Sequence, residues 1–218
     1  QSLRMAKDNV LVRKINGLET AGSLSILFSD KTGTITEGRL SVVEMATGNV
    51  RRFGKLNDMP DALRMDVIMG IGVNNSASAS ENSVIGGNST DRALMSFLMD
   101  CKVTEQVARA DVRQFNAFNS TKKTSSVTIT SDGHAVTYLK GAPERLLDRC
   151  VSYIDEKGET KPLTEKNYLV SYIDEQAGRS MRLLAVAKAE GTDENSEQLT
   201  LVCIISIRDN VRKEAADA

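Results

Sequence analysis

The chain has 218 residues, 40% hydrophobic and 26% charged, enough apolar side chain to pack one large domain or two modest ones. Its 28 Lys and Arg against 29 Asp and Glu leave a formal charge of −1, so no global field draws it to nucleic acid or an anionic membrane surface. Tryptophan is absent and aromatics make up 4%, which leaves few platforms for stacking the bases of a single strand.

Cys101, Cys150 and Cys203 are far apart, with no CxxC pair and no neighbouring histidine, a pattern of neither a disulfide framework nor a zinc site. They read as reduced, mostly buried small side chains. The longest apolar run, residues 199–207, is short of the roughly 20 residues a membrane helix needs. The first residues carry no export pattern, and Gln1 in place of Met reads as a start inside a longer protein. Asn74, Asn88 and Asn119 head formal glycosylation sequons, which in that context read as chance matches.

In chain order, Leu24–Ser29 is an apolar run ending in Asp30 and a Gly/Thr turn, the pattern of a buried strand presenting a carboxylate at its C-terminal end. In open α/β sheets ligands sit beyond those ends. Arg39–Ala46 reads as a strand with a hairpin near Thr47–Asn49, Pro60–Ile71 as a helix, and Asn74–Asn88, rich in Ser, Asn and Gly, as a mobile loop. A helix capped by Ser89 or Thr90 follows, with Leu94, Met95, Phe97 and Leu98 as its apolar face.

Val127–Thr130 and Ala135–Leu139 around Ser131-Asp-Gly133 give the clearest hairpin signal. Pro143 and Glu144 suit a helix start. Thr164 caps a helix through Leu169, Tyr172, Ile173 and Gln176, stopped by Gly178. Met181–Lys188 and Leu199–Ile207 read as strands around an acidic turn, and Val211–Ala218 as the start of a helix. Gly70-Ile-Gly72 superficially suggests a dinucleotide loop, but it follows a helix pattern and lacks a third glycine.

The chemistry concentrates in Asp30-Lys31-Thr32-Gly33-Thr34-Ile35-Thr36. A carboxylate at a strand end can attack phosphorus while N–H groups of the following turn hold the phosphoryl oxygens. Phosphatases built on this idea carry a second Asp two positions later as proton donor. Thr32 stands there instead, so an acyl phosphate formed on Asp30 is hydrolysed slowly.

These seven residues match the phosphorylation motif of the P-type ATPases, and the chain resembles that family along most of its length. Lys7–Lys14 and Leu18–Thr20 resemble the link into the motif from a membrane helix. Lys140-Gly-Ala-Pro-Glu144 matches the family's KGAPE, and Phe118 to Lys123 its FxxxxK segment. Gly87–Leu94 resembles G-x-x-T-E-x-A-L, with Asp91 in place of Glu, and Ser180–Ala187 resembles a strand whose arginine, here Arg182, reaches nucleotide phosphates. Asp209-Asn-Val-Arg212 stands where the family has DPPR; loss of both prolines implies a more flexible hinge.

The resemblance implies an α/β chain: a partial HAD-like phosphorylation domain (residues 1–38), an inserted α+β nucleotide-binding domain on an antiparallel sheet flanked by helices (39–208), and a hinge returning to the first domain (209–218). It implies ATP held by Asp91, Phe118, Lys123, Lys140, Gly141 and Arg182. Asp30 would be the phosphorylated nucleophile, aided by Lys31, Thr32 and Thr34, with Mg²⁺ at Asp30 and the Thr32 carbonyl. The flanking text looks most like the calcium-transporting branch, whose partners would be the remaining domains of the same pump chain at the cytoplasmic face of a membrane, the plasma membrane in this branch. Against this stand a soluble phosphohydrolase with a cap domain, and a nucleotide-binding module that performs no catalysis by itself.

Overall fold

The computed structural model describes residues 5, 20, 22–26, 28–81 and 83–216. The Asp132-Gly133 pair adopts left-handed backbone at φ 48° and 81°, the geometry a two-residue hairpin turn requires. It joins β6 (Thr124–Ser131) to β7 (His134–Gly141) in an unbroken antiparallel register from Ser131↔His134 to Thr124↔Gly141.

The remaining elements are β1 (Thr36–Ala46), β2 (Arg52–Phe53), α1 (Asp61–Ile68), β3 (Ala77–Ser80), β4 (Ser83–Gly86), α2 (Ser89–Asp100), α3 (Thr104–Ala108), β5 (Asp111–Asn119), α4 (Pro143–Leu146), β8 (Cys150–Ile154), β9 (Thr160–Pro162), α5 (Asn167–Gly178), β10 (Arg182–Glu190) and β11 (Leu199–Val211). Seven strands run in the order β2-β1-β11-β10-β7-β6-β5, with β8 attached to β11 and β9 to β8. The long chain path is antiparallel; β8 alongside β11 is the parallel exception.

Alternation along the strands builds two cores. Tyr138, Val186, Cys203 and Ile205 face α1 and α2, packing with Ile68, Leu94 and Leu98. Leu139, Ala185, Ala187 and Ile204 face α4 and α5, packing with Leu146, Leu169 and Tyr172. Covered on both faces, the centre of β11 is therefore apolar without interruption, which is why residues 199–207 form the longest apolar run. The two glycines of Gly70-Ile-Gly72 have a packing cause as well. A Cβ on Gly70 would overlap Val186, and one on Gly72 would lie 2.7 Å from Leu98 Cδ1 and closer still to Val107.

Several expectations are corrected. The described residues of Leu24–Asp30 form no strand: they pair with no other segment, and Leu24, Ile26 and Phe28 are 60%, 70% and 93% exposed. An apolar run becomes a buried strand only where a neighbouring edge and a covering layer exist, and the described residues supply neither. The Ser/Asn-rich stretch after Asn74 contains a two-stranded hairpin, β3–β4, with Ala77↔Gly86 and Ser80↔Ser83 in register. Asn88, not Ser89 or Thr90, caps α2, and α5 begins after Lys166 rather than at Thr164.

The hinge is paired rather than loose. β11 continues to Val211, matched to Thr36, because residues other than proline keep the N–H that a ladder uses. Beyond it comes a 3₁₀ turn over Lys213–Ala216. The reading of Lys7–Lys14 and Leu18–Glu19 lies outside the described residues.

Candidate functional site

α2 opens at the mouth of a cavity. The Asn88 carboxamide oxygen accepts from the N–H groups of Thr90 and Asp91, both at 2.9 Å, satisfying two of the otherwise unpaired donors of the first turn. The other end of the carboxamide, Nδ2, donates to Asp91 Oδ2 at 3.0 Å. Asp91 Oδ1 is taken by Lys140 Nζ at 2.7 Å, and both side chains are only 6% exposed. Burial pushes the Lys140 ammonium below the usual lysine range, and the Asp91 carboxylate opposes that shift. Removing one partner of such a pair strands a buried charge, at a cost of about 3–5 kcal/mol.

Two asparagines brace this pair from behind. Asn75 Nδ2 donates to the carbonyls of Ile71 and Asp91 at 2.8 and 3.1 Å, and Asn74 Nδ2 to those of Ser125 and Tyr138 at 3.2 and 3.4 Å. Two residues back on the same face of β7, the Tyr138 hydroxyl donates to Asp66 at 2.6 Å, and Lys188 donates to the same carboxylate at 2.8 Å. Burial first, then the Asp66 charge, raise the Tyr138 pKa, so the phenol stays a neutral donor.

Phe118 lies near the end of β5, 52% exposed, its ring not consumed by the core. The chain then turns tightly. Asn119 Oδ1 accepts from the N–H groups of Thr121 and Lys122 at 2.9 and 3.0 Å, and the Asn119 carbonyl accepts from Lys123 N–H at 2.7 Å. Lys123 closes this turn in left-handed backbone, φ 57°, with Nζ 3.4 Å from Glu144.

Gly141 pairs with Thr124, and a Cβ there would meet the Lys123 carbonyl oxygen and lie 2.7 Å from Thr124 Cγ2. The glycine is thus demanded by the close approach of β6, a reason independent of any ligand. Arg182, first residue of β10, donates Nη1 to Thr90 Oγ1 at 2.8 Å.

All six residues expected to bind nucleotide, Asp91, Phe118, Lys123, Lys140, Gly141 and Arg182, line one cavity of about 570 Å³. Asn88, Ser89, Thr90 and Ser120 add polar groups, and Ala142, Leu183 and Leu184 an apolar floor. Sequence reading missed Asn88 and Ser120; the strong preference of asparagine for helix caps was the signal that could have found the first.

Ser89 and Arg182 also line a smaller cavity of about 150 Å³, which reaches Lys31 and Asp209. A third, about 470 Å³, is lined by Asn116, Lys122, Arg145, Arg149 and Glu194 among others. Its cations are largely engaged: Lys122 with Glu194 at 3.0 Å, and Arg149 with the carbonyls of Glu194 and Ser196 at 2.6 and 2.9 Å.

The residues expected to carry phosphorylation sit apart from the large cavity. Lys31–Ile35 form a single wide turn preceded by Asp30 in extended backbone, and Asp30, Lys31 and Thr34 are exposed. The turn is clamped by the C-terminal end of β11. Thr36 Oγ1 shares its proton between Asp209 Oδ2 at 2.7 Å and the Lys31 carbonyl at 3.1 Å, and accepts from Gly33 N–H at 3.2 Å. Arg212 donates to the Thr36 carbonyl through Nε at 3.2 Å and to the Gly33 carbonyl through Nη2 at 3.1 Å. Asp209 and Arg212, noted in the sequence for the hinge, therefore fix the backbone of the motif.

Residues 67–214, more than half of the chain, match the family model described as P-type ATPase, cytoplasmic domain N. The chain belongs to the P-type ATPases. It is 31% identical over 241 residues to a protein named calcium-transporting ATPase 8, plasma membrane-type, of Arabidopsis thaliana, covering 99% of this chain and 22% of that one. It is 31% identical over 248 residues to the plasma membrane calcium-transporting ATPase 4 of Homo sapiens, covering 99% of this chain and 20% of the relative. Against the calcium-transporting ATPase PAT1 of Dictyostelium discoideum the identity is 30% over 235 residues, 99% and 21% of the two chains. The chain thus spans about a fifth of the length of these P-type relatives. Among the described residues no helix is long and apolar enough to cross a membrane.

Proposed function

We propose that this chain is the nucleotide-holding part of a calcium-transporting P-type ATPase and that ATP occupies the cavity of about 570 Å³. The observation that carries the reading is the convergence on one cavity of six residues drawn from α2, β5 and the turn after it, β7 and β10. The half-exposed Phe118 ring offers an aromatic face to adenine, a contact worth about 1–3 kcal/mol. Lys140 and Gly141 border the base end, and Lys123 and the planar fork of Arg182 suit the phosphates.

In the full reaction Asp30 is the nucleophile. A carboxylate oxygen bonds the γ-phosphorus, the bond to the β–γ bridging oxygen breaks, and ADP leaves with that electron pair. Lys31 and Thr34 supply donors beside the transferred group, and Thr32, having no acid to offer, leaves the aspartyl phosphate long-lived. Residues 1–38 would belong to a HAD-like phosphorylation domain, 39–208 to the nucleotide domain and 209–218 to the hinge.

The reading implies Mg²⁺. Asp30 and the Thr32 carbonyl are hard oxygen donors, and among the described residues no cluster of three or more Asp, Glu, His or Cys could hold a metal. That donor set fits an ion carried in by the triphosphate, since Mg²⁺ commonly takes one or two carboxylates plus phosphate oxygens. When bound it neutralises charge on the transferred group. The partners are the remaining domains of the same pump at the cytoplasmic face of the plasma membrane, with Ca²⁺ as cargo.

Calorimetric titration of the chain with ATP tests this. Saturable one-site binding, weakened in Lys140→Ala while the fold persists by circular dichroism, is expected. Absence of heat at millimolar ATP would refute the pocket assignment.

A further inference from the structure

The third cavity, about 470 Å³, lies across β7 from the one given to nucleotide. Leu139 borders it and Lys140 borders the other, because consecutive residues of a strand point to opposite faces. Three cations, Lys122, Arg145 and Arg149, line it against one carboxylate, Glu194. That carboxylate is spent: Oε1 accepts from Lys122 at 3.0 Å, and Oε2 from Ser126 and Asn116 at 2.7 Å each. Arg149 is held by the carbonyls of Glu194 and Ser196, neutral partners that fix its plane without cancelling its charge, and the carboxylate of Glu197, 4.0 Å from its Nε, is 80% exposed. Arg145 makes no side-chain hydrogen bond or ion pair among the described residues, and neither carboxylate near it in sequence, Glu144 or Asp148, lines the cavity.

We propose that this cavity is a second ligand site, separate from the nucleotide site, and that it takes a phosphorylated sugar or similar phosphorylated polyol. Two guanidinium groups with uncancelled charge suit a dianion, and the planar fork of arginine matches two phosphate oxygens at once. A bare phosphate fills only a small part of about 470 Å³, a volume in the range of small-molecule sites. The rest of the wall supplies groups for hydroxyls. Asn119 spends Oδ1 on its own turn and keeps Nδ2, while the Asn195 carboxamide and the Thr124 hydroxyl have no partner among the described residues. Ala117 and Leu139 offer apolar surface to the C–H face of a sugar ring.

The segment after Ala117 is the wall between the two cavities, with Asn119, Lys122 and Thr124 on one side and Phe118, Ser120 and Lys123 on the other, so its amides do not tell the sites apart. Amides outside it do. The chain is titrated at constant ionic strength with glucose 6-phosphate, glucose and inorganic phosphate, and chemical shifts are read at Asn116, Arg145, Arg149 and Asn195 for this cavity and at residues 88–91 and 182–184 for the nucleotide cavity. Saturable shifts at the first set are expected with glucose 6-phosphate, several-fold weaker binding with phosphate, and none with glucose. Arg145→Ala, at an exposed position, should weaken glucose 6-phosphate by about tenfold or more, the worth of a hydrogen bond to a charged group. Shifts that stay linear through the titration, that gather at the nucleotide cavity instead, or that glucose or bare phosphate reproduces at equal concentration would overturn the proposal, as would an unaltered affinity in Arg145→Ala. The comparison among the three probes uses the unaltered chain and needs no variant.

Discussion

Gly141→Ala places a methyl group where the structure has no room. The added Cβ would overlap the Lys123 carbonyl oxygen, which accepts from Ala142 N–H at 3.1 Å, and would stand 3.0 Å from Thr124 Cα. Two of these neighbours are backbone, so relief requires β6 to move away from β7 instead of one side chain rotating. Overpacking of this kind costs about 1–3 kcal/mol. For a domain of this size each kcal/mol lowers Tm by about 2–4 °C, which gives a fall of roughly 2–12 °C. Lys123 immediately precedes the displaced strand, held in left-handed backbone by the same turn, so the phosphate contact proposed for it should be lost as well. A charged hydrogen bond is worth about 1.5–3 kcal/mol, corresponding to a roughly tenfold or greater loss of ATP affinity. Differential scanning calorimetry and isothermal titration read the two effects. An unchanged Tm would show that β6 and β7 do not approach as described, and the argument for the glycine would fall.

Phe118→Ala should leave Tm within about 1 °C, since the ring is half exposed, while losing about 1–3 kcal/mol of stacking, roughly 5- to 150-fold in affinity for ATP; a large drop in Tm without a change in affinity would make the ring structural. Asp30→Asn should bind ATP with unaltered affinity, because Asp30 is exposed and does not line the cavity; titration checks it, and a tenfold loss would contradict the separation of the two sites. Glu194 accepts from Ser126 and Asn116 at 2.7 Å each and from Lys122 at 3.0 Å, bonds that hold its carboxyl below the usual glutamate range. A depressed carboxylate contributes stability at neutral pH that disappears as pH falls through that range toward the folded-state value. Glu194→Gln should therefore flatten the acid limb of a stability–pH curve, and an identical limb would show that these bonds contribute nothing.

The local signals that proved legible are those carried by strict chemistry. Asp132-Gly133 specified the β6–β7 hairpin because only such a pair sits easily at positive φ in both places. Lys140 entered through its match to KGAPE, and residues far apart in sequence, Asp91, Phe118 and Arg182, line the same cavity as it does. What escaped depended on partners that sequence does not name. The run at residues 24–28, with Leu24, Ile26 and Phe28 exposed, reads as a strand until one asks which edge it pairs with. β3 and β4, all Ala, Ser, Val, Ile and Gly, form a hairpin only because they pair with each other above α2. The clamp of Asp209 and Arg212 on the Lys31–Ile35 turn joins residues some 175 positions apart and leaves no periodic trace.

Backbone amide chemical-shift mapping on addition of ATP tests the central claim most directly, because it reports where the ligand sits as well as whether it binds. Shifts concentrated at residues 88–91, 118–123, 140–142 and 182–184 are the predicted result. Shifts concentrated instead around Asn116, Arg145, Arg149 and Glu194, or absent at saturating nucleotide, would contradict it.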